Sequence, residues 1–150
     1  MSDKDLIHDF KEKVHRFKEW METESDRYGE WETDYPFWDD IYSSVNQLVE
    51  QIPIKDSKLI EDFLFILARD NEAEHIIDLV IDHPSLLITL ATYGLDYKDH
   101  EARWQLAYGL GELKDRNNEA KVLLRQYIHD KHEYVRSRAR FAIETLEDRT

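Results

Sequence analysis

Cysteine is absent from this 150-residue chain, so neither a disulfide nor thiol catalysis can be built from it. Helix breakers are scarce: four glycines and three prolines leave few places where regular structure must stop. No apolar run approaches the about 20 residues that a membrane-spanning helix needs. The N-terminus reads Met1-Ser2-Asp3-Lys4-Asp5, without a basic stretch and apolar core, and on that basis no signal peptide is expected. No phosphate loop, nucleophile elbow or HExxH motif occurs, and adjacent carboxylates such as Asp39-Asp40 and Glu61-Asp62 are too common in an acidic chain to mark acid–base chemistry.

Carboxylates are what the chain does have in excess. Thirty-three acidic against twenty basic side chains give a formal charge of −13. That balance repels nucleic-acid phosphates and anionic lipid and attracts basic proteins. The length suits one domain with a real core, and aliphatic and aromatic residues are plentiful enough to fill it. A cytoplasmic monomer without cofactor or metal is the expectation.

Hydrophobic periodicity predicts eight helices. The first covers about 3–23, with Ile7, Phe10, Val14, Phe17 and Met21 on one face, widened by Leu6 and Trp20. The second covers 37–51, with Trp38, Ile41, Val45 and Leu48 aligned, and stops at Pro53. A third, about 57–69, is capped by Asp56 or Ser57, and its run Phe63 to Leu67 predicts the most buried helix. Further helices are predicted over about 71–82, 85–93 with Gly94 as a C-cap, 99–113, 117–128 and 131–147.

Two of these helices match after a shift of 33 residues: Ala102 to Leu113 against Val135 to Leu146. Both read apolar, Arg, two variable positions, apolar, one variable position, aromatic, small, aliphatic, two variable positions, Leu. Leu106, Leu110, Leu113, Ala139, Ala142 and Ile143 are therefore predicted to be buried between helices, the small residues marking close approach. A period of this size is the mark of stacked helical units, none of which buries its apolar face alone.

At these residues the chain resembles HEAT repeats, the two-helix units of alpha-solenoids. Asp130-Lys131-His132-Glu133-Tyr134-Val135-Arg136 followed by Ala139, Ala142 and Ile143 carries the likeness, and Asp99-His100-Glu101-Ala102-Arg103 carries it nearly as well. It covers about residues 97–147, and Leu59, Phe63 and Leu67 form a degenerate further unit. The resemblance implies an all-α fold, a short alpha-solenoid of antiparallel hairpins, with 1–55 a divergent N-terminal hairpin and 56–150 HEAT-like repeats in a single domain. It also implies that Arg103 and Arg136 pair with acidic turn residues. A HEAT-like glycosylase would need a basic groove that this chain lacks, and no lyase motif can be placed.

Charge and aromatic residues coincide between Glu22 and Asp40. Asp26, Glu30, Trp31, Glu32, Asp34, Tyr35, Asp39 and Asp40 are the expected partner-binding residues, rings supplying buried area and carboxylates speeding encounter with a basic protein. The competing account makes Trp31, Phe37 and Trp38 staples of the loop, Trp38 foremost. Trp104, Tyr108 and Arg140 form a second expected face. His8, Glu12 and His15 share a helix side, without enough further ligands to hold a metal. Size and charge are similar to those of immunity proteins that neutralise toxins; an adaptor or regulatory subunit is the alternative.

Overall fold

A computed structural model describes residues 2–25, 35–51 and 53–148. Among them the chain forms eight α-helices and no strand: α1 Asp3–Trp20, α2 Trp38–Gln51, α3 Ser57–Arg69, α4 His75–Ile81, α5 Pro84–Gly94, α6 His100–Leu110, α7 Asn117–Tyr127 and α8 Glu133–Asp148. A π-helical turn, Met21–Ser25, continues α1 where the periodicity predicts ordinary helix.

Local chemistry sets the starts of these helices. Ser2 and Asp5 close a capping box on α1, with bonds of 3.2 and 3.1 Å. Asp56 accepts from the Leu59 amide at 3.0 Å and Asp99 from the Glu101 amide at 2.9 Å, which starts α3 and α6. Pro84 occupies the first turn of α5, where its missing N–H costs nothing. Helix α4 is shorter than predicted because residues 71–73 form a turn and Glu74 adopts the left-handed conformation (φ 57°). The Asp70 carboxylate then reaches the Ile76 amide at 2.8 Å and fixes where the new helix begins.

Gly94, expected as the C-cap, is instead the last residue of α5, and Leu95 is the cap. A methyl group at Gly94 would collide with the Leu106 side chain, so its small size lets α5 and α6 approach. Gly111 does the same between α6 and α8, where an added Cβ would stand 2.7 Å from Ala142 Cβ. The most enclosed helix is α6 rather than α3. Eight of its eleven residues are buried, against seven of thirteen in α3, because α6 touches α3, α4, α5, α7 and α8.

The two matching segments meet side by side. His100 stacks on His132 at 4.0 Å, Trp104 meets Tyr134 at 5.4 Å, and Gly111 abuts Ala142, so α6 and α8 run in the same direction. Leu106, Leu110, Leu113, Ala139 and Ala142 are buried as the shared pattern predicts, and Ile143 is half-buried at the edge. No helix among the described residues is long and apolar enough to cross a membrane.

Candidate functional site

Two arginines fix the frame on which the best-formed surface feature sits. Arg103 donates from Nε and Nη2 to the two Asp130 oxygens at 2.8 and 3.2 Å, and from Nη1 to the Tyr97 carbonyl at 2.6 Å. Arg136, its counterpart, donates from Nη1 to the Asp130 carbonyl at 2.7 Å. Each arginine thus reaches back to the carbonyl six residues before it. Arg69 extends the series by donating to Asp99 at 2.9 Å. The Arg103–Asp130 pair is almost wholly enclosed. Burial raises the Asp130 pKa, but the Arg103 hydrogen bonds and charge, with the His132 amide, outweigh it and hold the carboxyl below its usual range. Arg103 and Asp130 are therefore spent on joining helices.

Arg138 is held quite differently. Its guanidinium lies over the rings of Tyr108, Trp104 and Tyr134, at 5.0, 5.3 and 5.9 Å. At about 3.6 residues per turn, Tyr134, Arg138 and Phe141 follow one side of the buried stripe Val135, Ala139, Ala142 and Leu146. Arg136 and Arg140 follow the other side. The cation over Trp104 and Tyr108 is thus Arg138, and Arg140 does not join them. Phe141 is 65% exposed and Tyr134 45%, while Trp104 is buried and tethered through Nε1 to Glu101 at 3.3 Å.

A cavity of about 30 Å3, bordered by Tyr108, Gly111, Arg138, Phe141 and Ala142, sits beside the rings. Burial raises the Tyr108 phenol pKa, and the carboxylates of Glu112, Asp78 and Glu74 add to that. Glu74 is raised by burial too, with Arg138 opposing. A guanidinium over aromatic rings, with exposed rings beside it, has the composition of a protein-binding hot spot. Tyr134, Arg138 and Phe141 are spaced i, i+4 and i+7, a signal the sequence carries. It is obscured because Phe141 occupies the aromatic position of the repeat, where a core role is the natural assumption.

Of the acidic–aromatic segment, Asp26, Glu30, Trp31, Glu32 and Asp34 lie outside the described residues. Tyr35 is buried, packed against Phe17 at 5.0 Å, Trp20 at 5.3 Å and Trp38 at 6.2 Å. Trp38 is buried as well, and Phe37 stays exposed with Arg16 over its ring at 5.5 Å. Asp39 and Asp40 face outward in the first turn of α2. Tyr35 and Trp38 thus belong to the core of the N-terminal helices, while the two carboxylates are free to meet a partner.

A second cavity, about 340 Å3, lies between this region and the turn after α3, bordered by Trp38, Asp39, Tyr42, Asp70 and His75. Asp70 is buried there. It accepts from the Tyr42 hydroxyl at 2.6 Å and caps α4, so its oxygens are engaged in holding α2, α3 and α4 together. Burial pushes its pKa up, only partly offset by these donors. His8 pairs with Glu12 at 3.5 Å and His15 with Glu19 at 2.9 Å, all on the outside of α1. Among the described residues no three His, Asp or Glu side chains group as metal ligands. No family model, curated protein or solved structure matches the chain.

Proposed function

We propose that this chain is a non-enzymatic protein-binding scaffold, a short alpha-solenoid of HEAT type that receives a basic protein. Helix contacts support the architecture. Helices α1, α3, α6 and α8 touch in succession, as do α2, α4, α5 and α7, and the two rows pack on each other. The shared Arg-to-carbonyl bond, six residues back from both Arg103 and Arg136, supports the repeat.

The observation that carries binding is the Arg138 platform, a guanidinium over the rings of Trp104, Tyr108 and Tyr134 at the seam of α6 and α8, with Tyr134 and Phe141 exposed beside it. The overall charge of −13 selects a basic partner and speeds its approach. Small size and acidity of this kind favour a toxin-neutralising immunity protein within that class. The enclosed carboxylates Asp70 and Asp130 both accept hydrogen bonds that join helices, which supports a structural use for them.

Capture from the native source on immobilised protein, at low and moderate salt, tests this. One stoichiometric basic protein is expected, weakened by Phe141→Ala and bound more slowly by a Glu30→Lys, Glu32→Lys, Asp34→Lys variant. An acidic captured protein, capture indifferent to all these changes, or hydrolase or transferase turnover by the purified chain overturns the reading.

A further inference from the structure

Arg138 has a chemistry of its own that net acidity does not account for. Among the described residues it makes no hydrogen bond and no ion pair within salt-bridge distance. Three rings lie close to its guanidinium, which holds the group in place and lowers the entropy lost when its N–H donors engage. Those donors lie in the plane of the group, in the fork that matches a carboxylate with two parallel bonds. Phe141 and Tyr134 add exposed apolar area alongside, and the small cavity at Gly111 and Ala142 admits little more than a methyl group.

We propose that Arg138 is a carboxylate-recognition site, taking an Asp or Glu side chain of the partner protein while an adjacent apolar side chain of that partner rests on Phe141 and Tyr134. This rests on the scaffold reading above and names the partner chemistry at one point of it. Charge complementarity chooses the occupant. Arg138 is a cation set in an acidic molecule, so a single carboxylate on an otherwise basic partner finds a counter-charge there and fixes the register of docking. Glu74, Asp78 and Glu112 bear on the same corner of the fold, Glu112 lining the cavity beside Arg138, and they repel a phosphate, nearly doubly charged, more strongly than a single carboxylate.

The test uses the whole chain as bait in selection from a random peptide display library, followed by synthesis of the strongest binder. Enriched sequences are expected to share one Asp or Glu next to an aliphatic or aromatic residue. Converting that carboxylate to its amide should weaken binding about tenfold, as should Arg138→Lys, which keeps the charge but loses the planar fork. The two losses should not add, since each removes the same contact. Arg138→Ala, checked for an unchanged melting temperature, should lose more. Enriched peptides without a carboxylate, or full affinity for Arg138→Lys, overturn the assignment. If such peptides still depend on Phe141, the scaffold reading survives and the carboxylate site alone falls. If nothing enriches, or nothing depends on Phe141, both fall.

Discussion

Aromatic rings gather beside charged groups in two regions of this molecule, and the two gatherings do opposite things. The rings of Trp20, Tyr35 and Trp38 lie 5.0 to 6.0 Å from the ring of Phe17, with Phe17, Tyr35 and Trp38 buried. Around Arg138, the rings of Trp104, Tyr108 and Tyr134 meet a cation, with Tyr134 and Phe141 exposed beside it. Ring-on-ring packing spends aromatic area on stability. Rings around a guanidinium hold a polar group ready at the surface. Aromatic density alone does not separate a staple from a site; what the rings face does.

Truncating one ring in each region separates the two uses. Trp38→Ala removes a buried ring from the contact of α1 with α2 and should cost about 3–5 kcal/mol in urea or thermal unfolding. Phe141→Ala removes an exposed ring and should stay within about 0.5 kcal/mol. Comparable losses from the two would make the Arg138 face part of the core. Ala139→Glu, at a fully buried contact of α8, gives a third reference point, an unpaired carboxylate that should loosen or unfold the domain by several kcal/mol, read by far-UV circular dichroism and thermal melting.

The arginines of the two matching segments are the opposite case, cations used for stability. Arg103→Ala leaves the enclosed Asp130 carboxylate without its partner and should cost about 3–5 kcal/mol at neutral pH. Arg136→Ala loses one bond to a carbonyl and should cost about 1 kcal/mol. The pH dependence has a definite sign. The folded pKa of Asp130 is depressed, so its contribution is present above the unfolded value and fades as pH falls through the folded one. Arg103→Ala should thus hurt less in acid, once Asp130 is protonated. Asp70 behaves in reverse: its folded pKa is raised, so its contribution is full below the unfolded pKa and lost as pH rises through the folded one. Asp70→Asn should flatten that part of the stability profile. An acid profile identical in wild type and Arg103→Ala would detach Asp130 from the arginine.

Much of the helical framework is legible in the sequence for a local reason. Stripes such as Phe10, Val14 and Phe17, caps such as Asp56 and Asp99, and the 33-residue match act within a turn or two of their own helix. What escapes is set by distant neighbours. Helix α6 is the most enclosed although its composition is less apolar than that of α3, because five helices close on it. Gly94 reads as a cap until Leu106 is seen against it. At the candidate site, Trp104 and Tyr108 are legible as a pair one turn apart, but choosing Arg138 over Arg140 requires knowing which flank of α8 turns toward α6. The burial of Tyr35 likewise depends on Phe17, eighteen residues earlier in the chain.

The smallest expected effect concerns Asp39 and Asp40, the outward carboxylates that border the buried rings of the N-terminal region. Both lie in the first turn of α2, where a negative charge favours the helix by about 0.3–1 kcal/mol. Replacing both with Lys should therefore lower stability by about that amount per site, whatever their role in binding. A purely structural role ends there, and association with a basic partner would proceed at the wild-type rate. If they also steer the partner, the association rate falls at low ionic strength while dissociation hardly changes, and the difference shrinks as salt screens charges beyond about 10 Å. Stopped-flow association at two salt concentrations, beside a melting curve, separates these outcomes. Rates equal to wild type at low salt would leave these two carboxylates a role in the helix only.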